Sequence, residues 1–92
     1  MVTQKRTHYE IFWEILTFCK TPKSFTSIIN RCNLNSKIGQ RHLKFLKKRK
    51  FLLQVEEEGA VLFQSTEQAK QYTVLFSKTY RELFDNSPEF RL

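Results

Sequence analysis

Apolar residues recur along this chain in short stripes of helical period, interrupted once by a stretch with the period of strands. The sharpest stripe runs from Ser36 to Lys50. At ~100° per residue, Lys37, Gln40, Arg41, Lys44, Lys47 and Lys48 fall on one face, and Ile38, Gly39, His42, Leu43, Phe45 and Leu46 on the other. A helix so divided docks on a small core with one side and presents charge with the other. Two stripes precede it. A first helix is predicted from about Thr7 to Cys19, with Phe12, Ile15, Leu16 and Cys19 as its core stripe and Ile11 and Phe18 widening the arc. Thr7 and Glu10 have capping-box spacing, and Lys20-Thr21-Pro22-Lys23 ends the helix. Ser24 then caps a second helix whose apolar face is Phe25, Ile28, Ile29 and Cys32. Asn33-Leu34-Asn35 is a tight turn in which Leu34 plugs the corner between the second and third helices. Asn35 or Ser36 caps the third.

The period changes after Lys50. Phe51 to Glu56 and Ala60 to Ser65 read as strands around Glu57-Glu58-Gly59, a hairpin with glycine in the bend. Ser65 and Gln68, at capping-box spacing, restart a helix that runs to about Phe84. Its stripe is Tyr72, Leu75, Phe76, Tyr80, Leu83 and Phe84, and Asn86-Ser87-Pro88 stops it. The predicted fold class is mainly α with a small β-hairpin (α+β), in the order α-α-α-β-β-α. Two short helices joined by a tight turn, the second of them basic and followed by a hairpin, make a winged helix-turn-helix. A length of 92 residues is one domain, and at this size the core is thin. Within it, 1–6 is a basic tail, 7–65 the helix-turn-helix and wing, 66–85 a C-terminal dimerisation helix, and 86–92 a frayed tail. Glycine and proline are scarce, two each, which favours regular structure and leaves few sites for a phosphate-cradling loop.

Charge gives the basic face its meaning. The net charge is +7, but residues 1–50 hold twelve Lys/Arg against two acids, while residues 51–92 hold four against seven. The positive field belongs to the first half. No acid lies between Ser36 and Lys50, whereas a helix needing only solubility would mix in glutamate for i,i+4 pairs. A polyanion is the natural reader of that face, and nucleic acid comes first. With the third helix in a major groove, Ser36, Lys37, Gln40 and Arg41 near its start are the base-edge candidates. Arg41 suits the O6 and N7 of guanine, and Gln40 suits adenine. Lys44, Lys47 and Lys48 fall to backbone phosphates, as do Lys20, Lys23 and Arg31 around the second helix. Lys5 and Arg6 form a flexible arm that reaches along a neighbouring groove. Glu56, Glu57 and Glu58 make the wing tip acidic, so the wing is expected to stay out of the minor groove.

Other chemistry is not legible. Cys19 and Cys32 sit in apolar stripes and read as small buried hydrophobes. They lack the spacing of a zinc site, and no signal supports a disulfide between them. His42 reads as a core histidine and His8 as a surface one. No nucleophile triad, carboxylate pair or metal cluster points to catalysis, and no cofactor or small-molecule ligand is called for. Ile11 to Cys19 is interrupted by Glu14 and Thr17, so it is neither a signal peptide nor a membrane span. An intracellular, soluble protein is expected.

These residues also resemble a known family, the small archaeal winged-helix proteins, some similar to transcription regulators and others to DNA-coating chromatin proteins. The likeness rests on Ile11, Ile15-Leu16, Thr26-x-Ile28, Leu34, His42-Leu43-x-x-Leu46, Phe51-Leu52 and Phe63-x-x-Thr66, and covers roughly residues 6–84. The chain departs from the family pattern at Lys50 and Ala69, where glycine is usual, and at His42, a tyrosine-like position. The resemblance implies an archaeal or archaeal-viral source and a homodimer. Tyr72, Phe76, Tyr80 and Leu83, at spacings of three and four, are the candidate dimer seam; the competing use of that stripe is to pack on the first helix. The expected function is sequence-specific binding of double-stranded DNA by a transcriptional regulator. Non-specific chromatin packaging and docking on an acidic partner protein are the alternatives.

Overall fold

The computed structural model describes residues 6–85 as four α-helices and one antiparallel hairpin. Helix α1 spans His8–Phe18, α2 Phe25–Arg31, α3 Ser36–Lys48 and α4 Glu67–Tyr80; strands β1 (Leu52–Glu57) and β2 (Ala60–Ser65) lie between α3 and α4. The expected order α-α-α-β-β-α is the observed one. The remaining tail residues 1–5, including Lys5, and the stop and frayed end over 86–92 lie outside the described residues, as does the side chain of Phe84.

Three helix starts follow local rules. Thr7 Oγ1 accepts the Glu10 amide at 3.1 Å while Glu10 Oε1 accepts the Thr7 amide at 2.7 Å, a complete capping box. Ser24 Oγ accepts the Ser27 amide, and Asn35 Oδ1, not Ser36, accepts the Ile38 amide. The fourth start differs from expectation. Ser65 stays in β2 opposite Leu52, and its hydroxyl donates to the Leu16 carbonyl at 2.9 Å. The cap passes to Thr66, whose Oγ1 accepts the Ala69 amide at 3.3 Å and donates to the Lys50 carbonyl at 2.8 Å. Beyond Tyr80 the α-helix loosens into a π-helical turn over Arg81–Asp85.

Helices α2 and α3 end alike. Asn33 and Lys50 take left-handed backbone, φ 56° and 67°, and the following amides of Leu34 and Phe51 reach back to the Ile29 and Leu46 carbonyls at 2.9 Å. Both are Schellman ends, which put Leu34 and Phe51 back onto the apolar side of the helix just finished. Asparagine tolerates the left-handed region; lysine sits there at a cost of roughly 1–2 kcal/mol. The hairpin closes on Glu58 and Gly59, φ 51° and 82°, the two left-handed residues that a tight hairpin turn requires. Lys23, between α1 and α2, pairs with Phe63 through two backbone hydrogen bonds of 2.9 and 2.8 Å, so the connection is stitched to β2.

The core forms where the helices and β1 meet: Ile11, Ile15, Leu16, Cys19, Ile28, Cys32, Leu43, Leu46, Leu52 and Ala69 are all buried. Gly39 is buried too. A Cβ built on it would lie 2.5 Å from Ile29 Cγ2, so glycine is what lets α3 approach α2 this closely. Ala69, with no side chain beyond Cβ, seats the first turn of α4 on the core. Farther along, Trp13 Nε1 donates to Ser77 Oγ at 2.8 Å, Trp13 stacks on Phe76, and the Tyr72 hydroxyl donates to the Tyr9 carbonyl.

Candidate nucleic-acid interface

Helix α3 presents its cations as expected. Ser36, Lys37, Gln40, Arg41, Lys44, Lys47 and Lys48 are all exposed, while Gly39, His42, Leu43 and Leu46 point inward. The buried arc is narrower than the wheel suggested: Ile38 and Phe45 are exposed. Arg49 and Lys50 prolong the positive row past the helix end. Helical spacing brings Lys37, Gln40, Arg41, Lys44 and Lys48 together on one surface. Lys47, on its edge toward the wing, donates to Gln54 Oε1 at 2.9 Å.

The cations around α2 are not part of that row. Lys23 Nζ lies 4.8 Å and the Arg31 guanidinium 5.7 Å from the centre of the Phe18 ring, so one aromatic ring gathers two charges. Lys23 also donates to Thr21 Oγ1. With Arg6 they line a cavity of about 640 Å³ between α1 and α2 that no α3 residue touches. Lys20 is exposed and apart from both groups, its carbonyl accepting a hydrogen bond from Gln64.

Arg6 does not behave as a flexible arm. Its guanidinium pairs with Glu14 and donates to the Cys32 carbonyl at 2.6 Å and the Asn33 carbonyl at 3.3 Å. Those carbonyls crowd the negative end of α2, a natural place for a cation. The acidic wing tip stands in water, with Glu56, Glu57 and Glu58 all exposed.

The titrating groups are structural. Burial pushes the Cys19 thiol up to about 12, with Cys32 adding to it, and burial pushes Cys32 up to about 11; both are free thiols in the core. The His42 imidazole is held below its ordinary value by burial first, then by His8 and Arg41. Among the described residues no cluster of three or more His, Cys, Asp or Glu is arranged to hold a metal, and no helix is long and apolar enough to cross a membrane.

The seam candidates divide. Tyr72 and Phe76 are half-buried: Tyr72 packs near Phe51 and Phe76 lies on Trp13. Tyr80 and Leu83 are exposed, with Tyr80 stacked along Phe76. Leu75, counted in the predicted stripe, faces solvent together with Val74.

A helix-turn-helix with an acid-free basic second helix and an adjoining hairpin is a winged-helix DNA-binding fold. The chain belongs to the winged helix-turn-helix family, whose model matches residues 5–83. Solved structures agree in fold. The DNA-binding protein Sso10a-2 from Sulfolobus solfataricus is 24% identical with a TM-score of 0.73, over 95% of this chain and 99% of that one. The transcriptional regulator BldR, also from Sulfolobus solfataricus, is 12% identical with a TM-score of 0.70, over 88% of this chain and 64% of its own. F-93 of SSV1 is 15% identical with a TM-score of 0.66, over 89% and 99%. No curated protein matches the chain in sequence.

Proposed function

We propose that this protein binds double-stranded DNA in a sequence-specific manner and acts as a transcriptional regulator, with α3 in the major groove. The observation that carries the reading is the exposed, acid-free face of α3, with Gln40 and Arg41 near its start and Lys44 and Lys48 beyond them. Side chains at the start of a recognition helix reach base edges, and later ones meet phosphates. The similarity to a regulator and to a DNA-binding protein supports both halves of the proposal. The wing stands clear of the duplex, since three exposed carboxylates would be repelled by phosphate.

The protein acts as a homodimer whose seam is the distal part of α4 and the π-helical turn that follows it. There Phe76, Tyr80 and Leu83 follow at helical spacing, and Tyr80 and Leu83 are exposed. Two copies would offer two basic helices to half-sites about one helical turn apart.

A salt titration of duplex binding tests the proposal. Log affinity should fall with log salt at ~0.9 per phosphate neutralised. Lys44→Ala should lower that slope by about one, and Arg41→Ala should cost ~1–3 kcal/mol on the preferred site alone. Equal affinity for every duplex would make this a packaging protein. Absence of duplex binding at low salt would leave docking on an acidic protein.

A further inference from the structure

Helix α3 carries a second exposed feature that duplex recognition leaves unused. Phe45 is 46% exposed and Tyr9, across from it on α1, is 66% exposed. They belong to a cluster of rings. Phe45 lies flat on Phe12, 5.3 Å between centroids and 19° between planes. Phe12 meets His42 edge-on at 5.2 Å, and His42 meets His8 edge-on at 5.4 Å. Together with Tyr9 and Arg41 these rings line an open cleft of about 480 Å³. Single exposed apolar side chains are ordinary on a protein surface; a set of contiguous rings, with half-exposed Phe45 stacked on Phe12, is a platform.

The rim says what would occupy it. Arg41 lies one turn before Phe45 on α3, and Lys48 and Arg49 lie three and four residues after it, all exposed. An occupant has to bring flat π faces to the rings and negative charge to the rim. Nucleobases on a phosphodiester backbone bring both. An intact duplex cannot, because its base faces are stacked on one another inside the helix, so the matching ligand is a single strand.

We propose that this cleft binds single-stranded DNA, with unpaired bases stacking on Phe45 and Tyr9 and the backbone running past Arg41, Lys48 and Arg49. The site adjoins the duplex face and shares Arg41 and Lys48 with it, so the two ligands compete.

The test is fluorescence anisotropy on the full chain at ~50 mM salt, with three labelled probes: an oligothymidylate of about 15 nucleotides, an abasic strand of equal length, and a duplex of equal length. The oligothymidylate should bind about tenfold tighter than the abasic strand, which carries the same phosphates without the bases. Phe45→Ala and Tyr9→Ala should each weaken oligothymidylate binding about fivefold or more and leave duplex binding within about twofold. Phe45→Trp should retain it. Tyr9→Ala guards against a folding artefact, because the Tyr9 ring is largely in water and the group Tyr72 uses is the Tyr9 backbone carbonyl. Equal affinity for the thymidylate and abasic strands, or unchanged affinity in both alanine variants, would overturn the proposal. Lys44→Ala in the duplex arm reports on duplex binding separately, so either reading can fail alone.

Discussion

Replacing Gly39 by alanine sets two known effects against each other. In an unobstructed helix the change stabilises by ~1 kcal/mol, because alanine has less backbone entropy to lose. Here the added Cβ would lie 2.5 Å from Ile29 Cγ2 and 3.5 Å from the Phe25 ring. The second distance is an ordinary contact; the first is more than ~1 Å short of one. Cγ2 is a branch on a β-carbon, and a β-branched residue in a helix holds essentially one χ1 rotamer. The methyl therefore cannot swing aside, and α2 and α3 must separate. Overpacking of this kind costs ~1–3 kcal/mol, so the net is a loss of about 1 kcal/mol, or about 4–8 °C in Tm for a domain of this size. Thermal melts followed by circular dichroism measure it. In an Ile29→Ala background the obstructing atom is gone, and Gly39→Ala should then stabilise by up to ~1 kcal/mol, a sign reversal that a double-mutant cycle reads directly. A single Gly39→Ala variant more stable than wild type would refute the reasoning.

Three further outcomes are expected. Lys50→Gly, which relieves the left-handed φ of 67°, should raise stability by about 0.5–1 kcal/mol in urea unfolding despite the loss of a cation; a decrease would mean that the lysine side chain is needed where it sits. His42 is held neutral in the fold, with its folded value below the ordinary 6.5. The unfolded chain therefore takes up the proton first as pH falls through about 6.5. Stability should be full above that pH and decline below it toward the lowered folded value, and His42→Phe should flatten this limb of a Tm-against-pH curve. Cys19 and Cys32, buried and pushed up to about 12 and about 11, should resist a thiol reagent at pH 8 in the native protein and react on denaturation; prompt labelling of the folded chain would contradict their burial.

The parts of this fold readable from sequence were those written locally. Thr7 with Glu10, Ser24 and Asn35 announce helix starts because a side-chain oxygen three residues ahead of an amide is itself the physical cause of the start. The exposed cationic row of α3 followed from period alone. What escaped needed a partner distant in the chain. Ser65 looked like a cap until Leu16, forty-nine residues earlier, claimed its hydroxyl. Arg6 looked like a loose arm because Glu14 and the end of α2 are brought to it only by folding. The left-handed Lys50 carries no local mark, since the usual signal at such a position is glycine. A helical wheel puts Ile38 and Phe45 inward because it counts apolar residues without knowing how wide the neighbouring elements are, and it hides the aromatic cleft beside α3 for the same reason.

The Ser65–Thr66 dipeptide is a mechanical joint. Through it the amide and hydroxyl of Ser65 hold the Cys19 and Leu16 carbonyls at the end of α1, and those of Thr66 hold the Phe51 and Lys50 carbonyls just past α3. Helix α4 thus leaves the body from a bracket bolted to the two helices beneath it. In the proposed dimer, the bracket would set the angle at which each body hangs from the shared spine. The distance between the two proposed reading helices would then depend on two small residues as well as on where along α4 the copies meet. Altering the bracket would retune the operator spacing without touching either the seam or a single side chain that faces DNA.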